Sequence, residues 1–77
     1  MVEELDLRGL KCPLPALMTR RRLAAMAPGA TLTVLSTDPL AVVDIPHMCH
    51  GEGHAVESVA SRDGYQEFLL TIRPGSV

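Results

Sequence analysis

Two cysteines, no long apolar run and no excess of positive charge mark this 77-residue chain by what it lacks. Cys12 and Cys49 are too few for a disulfide framework, and neither belongs to a C-x-x-C pair. No apolar stretch approaches the roughly 20 residues needed to span a bilayer. The acidic opening Met1–Asp6 has no basic region followed by an apolar one, so it does not read as a secretory leader. The expectation is a cytoplasmic protein without membrane contact, whose thiols stay reduced. Seven Lys and Arg against nine Asp and Glu leave a net charge of −2, which argues against direct nucleic-acid binding. No segment recurs at a fixed period, which excludes a solenoid. The length leaves room for one core, hence one domain over 1–77.

What is present suits a compact fold: 47% hydrophobic residues and 21% charged ones. Val2 to Leu7 alternates apolar and polar, the pattern of a half-buried strand, and Gly9 ends it. Cys12-Pro13-Leu14-Pro15 opens a helical stretch to about Ala27, with prolines where a first turn tolerates them and Pro28-Gly29 as the stop. Thr31 to Thr37 is β-branched and apolar, a second strand. Asp38-Pro39 reads as N-cap and first residue of a second helix to about His50, with a kink or break expected at Pro46 and termination at Gly51 and Gly53. Ala55 to Ser61 and Tyr65 to Arg73 complete the set as two strands joined by an Arg62-Asp63-Gly64 turn. In the last strand Phe68, Leu70 and Ile72 face one way and Glu67, Thr71 and Arg73 the other. The order β-α-β-α-β-β, with right-handed crossovers, predicts an α+β two-layer sandwich: a four-stranded mixed sheet with both helices on one face.

At about 100° per residue, Arg20, Arg21 and Arg22 mark the solvent side of the first helix. Ala16, Thr19, Leu23, Met26 and Ala27 fall opposite, toward the core. Leu14, Leu17 and Met18 are left on the arginine side. They read either as a docking surface with Arg20 and Arg21 as its charged rim, or as side chains leaning over the sheet edge.

Cys12 occupies a helix start, where the dipole favours a thiolate. Lys11 is adjacent, Arg8 is near, and no carboxylate lies between residues 7 and 37, so the expected local field is positive. Pro13 and Pro15 order the backbone around it. A cysteine in a loop-to-helix turn is a poor core filler, so a chemical role outweighs packing. Hydrolysis needs a base within reach, and His47, His50 and His54 sit toward the far end of the second helix, apart from Cys12 by expectation. Without a resolving cysteine, covalent carriage of a group is the remaining chemistry.

The segments Leu5-Asp6-Leu7-Arg8-Gly9-Leu10-Lys11-Cys12-Pro13-Leu14-Pro15, Pro28-Gly29, Thr37-Asp38-Pro39, Asp44-Ile45-Pro46 and Gly53-His54, in this order, resemble the TusA/SirA-like family of small sulfur carriers. The resemblance spans nearly the whole chain and implies the same sandwich. It implies that Cys12, as the Cys-Pro-x-Pro cysteine, takes sulfur as a persulfide from a cysteine desulfurase or a rhodanese-type donor. The sulfur would then pass to an acceptor protein, for example a DsrE-like one, serving tRNA thiolation, molybdenum cofactor supply or sulfur oxidation. The expected cofactor is none beyond that covalent persulfide.

Two further groupings remain. His47, Cys49, His50 and His54 are metal-ligand types within eight residues, and a metal- or redox-linked binding module is the alternative function they raise. The glycines at 51 and 53 break the spacing, so no metal site is expected and Cys49 reads as packed. Asp38 and Asp44 invite a catalytic role; Asp38 reads more simply as an N-cap before Pro39, and the topology decides whether its helix begins at the same sheet edge as that of Cys12.

Overall fold

The computed structural model describes residues 2–72. The elements are β1 (Val2–Asp6), α1 (Leu14–Ala24), β2 (Thr31–Ser36), α2 (Ala41–Glu52), β3 (Ala55–Arg62) and β4 (Tyr65–Thr71). They form one four-stranded sheet in the order β1-β2-β4-β3. β1 runs parallel to β2, and β4 runs antiparallel to both β2 and β3. The expected mixed sheet with two helices is therefore what the chain forms. Each helix is a crossover between parallel strands, and the core lies between the helices and one sheet face. It gathers Leu23 from α1, Ala41, Ile45 and Cys49 from α2, and Leu32, Val34, Phe68 and Leu70 from the sheet. Phe68 and Leu70 are fully buried and Ile72 nearly so, as the alternation in β4 requires.

Several boundaries move, each for a local reason. α1 stops at Ala24 rather than near Ala27. The Met26 N–H already bonds the Leu23 carbonyl, a tighter turn that lets Met26 pack on the core and leaves Ala27 exposed and outside the helix. Gly29 then donates to the Ile72 carbonyl, and Ile72 donates to that of Ala30, pinning the chain where β2 begins. Gly29 has φ +87°, a left-handed conformation that suits glycine.

α2 starts at Ala41, later than Asp38-Pro39 suggested. Asp38 still serves backbone donors, but one turn earlier: its Oδ1 accepts from the Leu40 N–H at 3.2 Å. Its carbonyl accepts from Ala41 N–H. The helix also runs unbroken through Pro46 and Gly51 to Glu52, against the expected break. Proline there removes only the bond to the carbonyl four residues back, that of Val42, a residue on the exposed side of the helix. The stop is Gly53 alone, left-handed at φ +83°. β3 and β4 meet at the Asp63-Gly64 turn, and the Arg73 end of the expected last strand lies outside the described residues. No helix among the described residues is long and apolar enough to cross a membrane.

Candidate functional site

Because β1 and β2 are parallel neighbours, their carboxyl ends lie side by side, and the segments leaving them emerge at the same edge of the sheet. The first such segment, residues 7–13, carries Cys12. The second, residues 37–40, carries Asp38 and leads into α2. The two segments are tied together. Leu7 N–H donates to the Leu35 carbonyl at 2.8 Å. Gly9 N–H donates to Thr37 Oγ1 at 2.9 Å. Cys12 N–H donates to Asp38 Oδ2 at 2.6 Å. Asp38 is about nine-tenths buried, so its carboxylate is a fixed post to which the cysteine loop is anchored.

Cys12 itself is exposed, and its peptide bond to Pro13 is cis. Lys11 and Pro13 support the helix start through their carbonyls, which accept from Leu14 and Leu17 N–H at 2.9 and 3.1 Å. Pro15 is buried beneath the first turn. The Cys12 thiol donates to Asp44 Oδ2 at 3.1 Å. This geometry reverses the expected electrostatics. The thiol is held above its ordinary pKa, first by that hydrogen bond, then by loss of solvation, then by the charges of Asp44 and Asp38. The basic neighbours in sequence do not offset this. Arg8 turns to Asp6, pairing at 2.8 Å, and lies over the Tyr65 ring at 5.1 Å. A positive field at Cys12, inferred from residues adjacent along the chain, is therefore corrected to an acidic one.

An open cleft of about 530 Å³ runs between α1 and α2 from Cys12. Leu17 and Arg20 line it from α1, and Asp44, His47 and Glu52 from α2. Arg20 reaches Glu52 across it at 3.4 Å. His47 thus shares the cleft with Cys12, contrary to the expected separation, because both helices begin at one edge and lie side by side. His50 and His54 do not line it.

The helix phase read from the arginines holds. Thr19 and Leu23 are buried and Ala16 and Met26 half-buried. Leu14, Leu17 and Met18 stand on the open side at 45%, 50% and 42% exposure. Arg20 and Arg21 are exposed beside them. At the start of α2, Leu40 and Val43 are exposed as well, residues that sequence reasoning passed over. Their signal was the apolar run Leu40 to Val43, which cannot all face inward on one helix turn.

Cys49 is fully buried in the core, and burial pushes its thiol up to about 11. His50 is exposed. Among the described residues no three His, Cys, Asp or Glu side chains gather as a metal site. Cys49 is a packed side chain of the core.

A match to known proteins covers most of this structure. The family described as "Sulfurtransferase TusA" matches residues 3–72, a span that takes in both helices and all but the first residue of β1. The chain belongs to the TusA family. Among its TusA-like relatives, two proteins from Neisseria meningitidis, of serogroups A and B, are provisionally named sulfur carrier proteins. Each is 45% identical over 71 residues, covering 92% of this chain and 93% of the relative. The sulfur carrier protein TusA of Buchnera aphidicola is 34% identical over 66 residues, 86% of this chain and 84% of that one. The crystal structure of a SirA-like protein from Desulfitobacterium hafniense shares the fold, with a TM-score of 0.83 and 24% identity over 96% of this chain and all of that one. Family and relatives together indicate a sulfur carrier.

Proposed function

We propose that Cys12 is the residue that carries the sulfur, as a persulfide, and that the chain acts as a protein sulfurtransferase with little or no turnover alone. The observation that carries this reading is exposure: of the two thiols in the chain, Cys12 is open to a partner and Cys49 is sealed in the core. A carrier must meet two other proteins at the same sulfur, and only a surface thiol at the mouth of a cleft allows that. In the loading step Cys12 Sγ bonds to the sulfane sulfur of the donor, the donor's S–S bond breaks, and its electron pair leaves on the donor sulfur with the proton from Cys12. Delivery repeats the exchange, with an acceptor thiolate attacking the outer sulfur.

A bare thiol cannot tell donor from acceptor, so recognition falls to its surroundings. Leu14, Leu17 and Met18 supply a desolvating centre, and Arg20 and Arg21 a charged rim that sets encounter rate. The donor is a cysteine desulfurase or a rhodanese-type protein. The acceptor is a protein such as a DsrE-like relay subunit, on a route to tRNA thiolation, molybdenum cofactor or sulfur oxidation in the cytoplasm. Pro13, Pro15 and Lys11 shape the helix start that presents the thiol. The sulfur is cargo, and no resident cofactor enters the scheme.

Intact mass after incubation with a persulfide donor tests this. The protein should gain one sulfur, removed by a thiol reductant. Cys12→Ser should abolish the gain and Cys49→Ala should retain it. A label that maps to Cys49 overturns the assignment.

A further inference from the structure

A carboxylate 3.1 Å from the only exposed thiol is an odd neighbour for a nucleophile. Thiolates are usually favoured by cations or a helix start, and an anion in hydrogen-bond contact opposes them. Asp44 accepts the S–H when Cys12 is empty, which stabilises the neutral thiol. When Cys12 is loaded, the balance changes. Transfer converts Cys12–SH and a donor R–S–SH into Cys12–S–SH and R–SH, with no net oxidation. A persulfide is a stronger acid than its parent thiol, so near neutral pH the loaded group loses its proton to solvent and becomes Cys12–S–S⁻. That anion then stands beside Asp44, with Asp38 behind the cysteine backbone. Two of the cationic side chains nearby are already paired, Arg20 with Glu52 and Arg8 with Asp6. His47 lines the same cleft, and Lys11 is exposed in the cysteine loop.

We infer that Asp44 sets how tightly Cys12 holds its sulfur: by stabilising the empty thiol and opposing the charged persulfide, it biases the carrier toward unloading. The inference rests on Cys12 being the sulfur-bearing residue. It makes Asp44 a determinant of transfer direction rather than an activator of the nucleophile. A carrier that bound sulfur more tightly than its acceptor would stall, and the adjacent carboxylate prevents that stall without any conformational change.

The experiment compares wild type, Asp44→Asn and Asp44→Glu, each checked for a native melting curve. The first arm alkylates the empty protein with neutral iodoacetamide across pH and does not depend on persulfide chemistry. Asp44→Asn should lower the midpoint of the profile. Each unit of that fall multiplies thiolate tenfold and reduces its nucleophilicity about threefold, leaving about threefold faster alkylation near pH 7. The second arm equilibrates each protein with glutathione persulfide and glutathione and reads the loaded fraction by intact mass. Asp44→Asn should raise the loaded-to-empty ratio several-fold at pH 8, and the difference should shrink toward pH 5 as the persulfide is protonated. Asp44→Glu keeps the charge and should stay nearer wild type in both arms. An unchanged or raised alkylation midpoint in Asp44→Asn overturns the electrostatic role, and a loaded ratio no higher than wild type overturns the bias. If no variant, wild type included, takes sulfur at Cys12, the carrier assignment itself fails, and the first arm still decides whether Asp44 restrains the thiol.

Discussion

Asp38 gives the sharpest test of how the cysteine loop is held. Its carboxylate accepts two backbone N–H groups, from Cys12 at 2.6 Å and Leu40 at 3.2 Å, while 9% of the residue remains exposed. Asp38→Ala deprives both donors. A hydrogen bond to a charged group contributes about 1.5–3 kcal/mol. Two offsets reduce the sum. Removing the carboxylate also removes the cost of burying it, and the Cys12 N–H sits in an exposed loop that water can reach. The expected net loss is about 2–3 kcal/mol. For a domain of this size that is a large share of a total on the order of 4–11 kcal/mol. With a urea slope of about 1 kcal/mol/M, the midpoint should fall by about 2–3 M. Asp38→Asn keeps one carbonyl oxygen and should lose about half as much. Amide exchange localises the effect: Cys12 and Leu40 should lose protection in Asp38→Ala while the β4 amides keep theirs relative to the new global stability. A midpoint within 0.5 M of wild type, with the Cys12 amide unchanged, refutes the claim that Asp38 anchors the loop.

The other expectations concern the two faces of α1 and the buried thiol. Leu23→Ala should cost about 2–4 kcal/mol in urea unfolding because Leu23 is 1% exposed. Leu17→Asp should leave the melting temperature nearly unchanged, yet weaken capture by a sulfur donor at any ionic strength; loss of folding in Leu17→Asp means that Leu17 belongs to the core. Arg20→Glu combined with Arg21→Glu should slow loading most at low salt, and an unchanged rate moves the donor to another surface. For Cys49, burial raises the folded thiol to about 11 from its ordinary value of 9.0. Its stabilising contribution is complete below pH 9 and is lost as pH rises toward 11, because the unfolded chain ionises first. Stability should therefore fall by up to about 2–3 kcal/mol across that window beyond what Cys49→Val shows. Parallel alkaline profiles for the two proteins contradict the shift.

Much of this protein is legible from adjacent residues. Alternation in Phe68, Leu70 and Ile72, the glycine at Gly53 and the prolines around Cys12 announce the element order, because strand and helix periods and turn chemistry act over a few residues. The phase of α1 follows likewise from Arg20 to Arg22. The ends of α1 and α2 do not, since they answer to packing of Met26 and to where the chain must join β2 and the cysteine loop. Strand order is decided by tertiary structure, and with it the company of Cys12. Asp38 lies 26 residues away along the chain and Asp44 lies 32 away, yet both reach the cysteine, while nearby Arg8 pairs with Asp6. Charge acts through space within a few ångströms, so a thiol's ionisation belongs to whichever segments the sheet brings to its edge. Local residue order places one cysteine at a helix start ahead of two prolines; the parallel pairing of β1 with β2 is what turns this cysteine toward carboxylates.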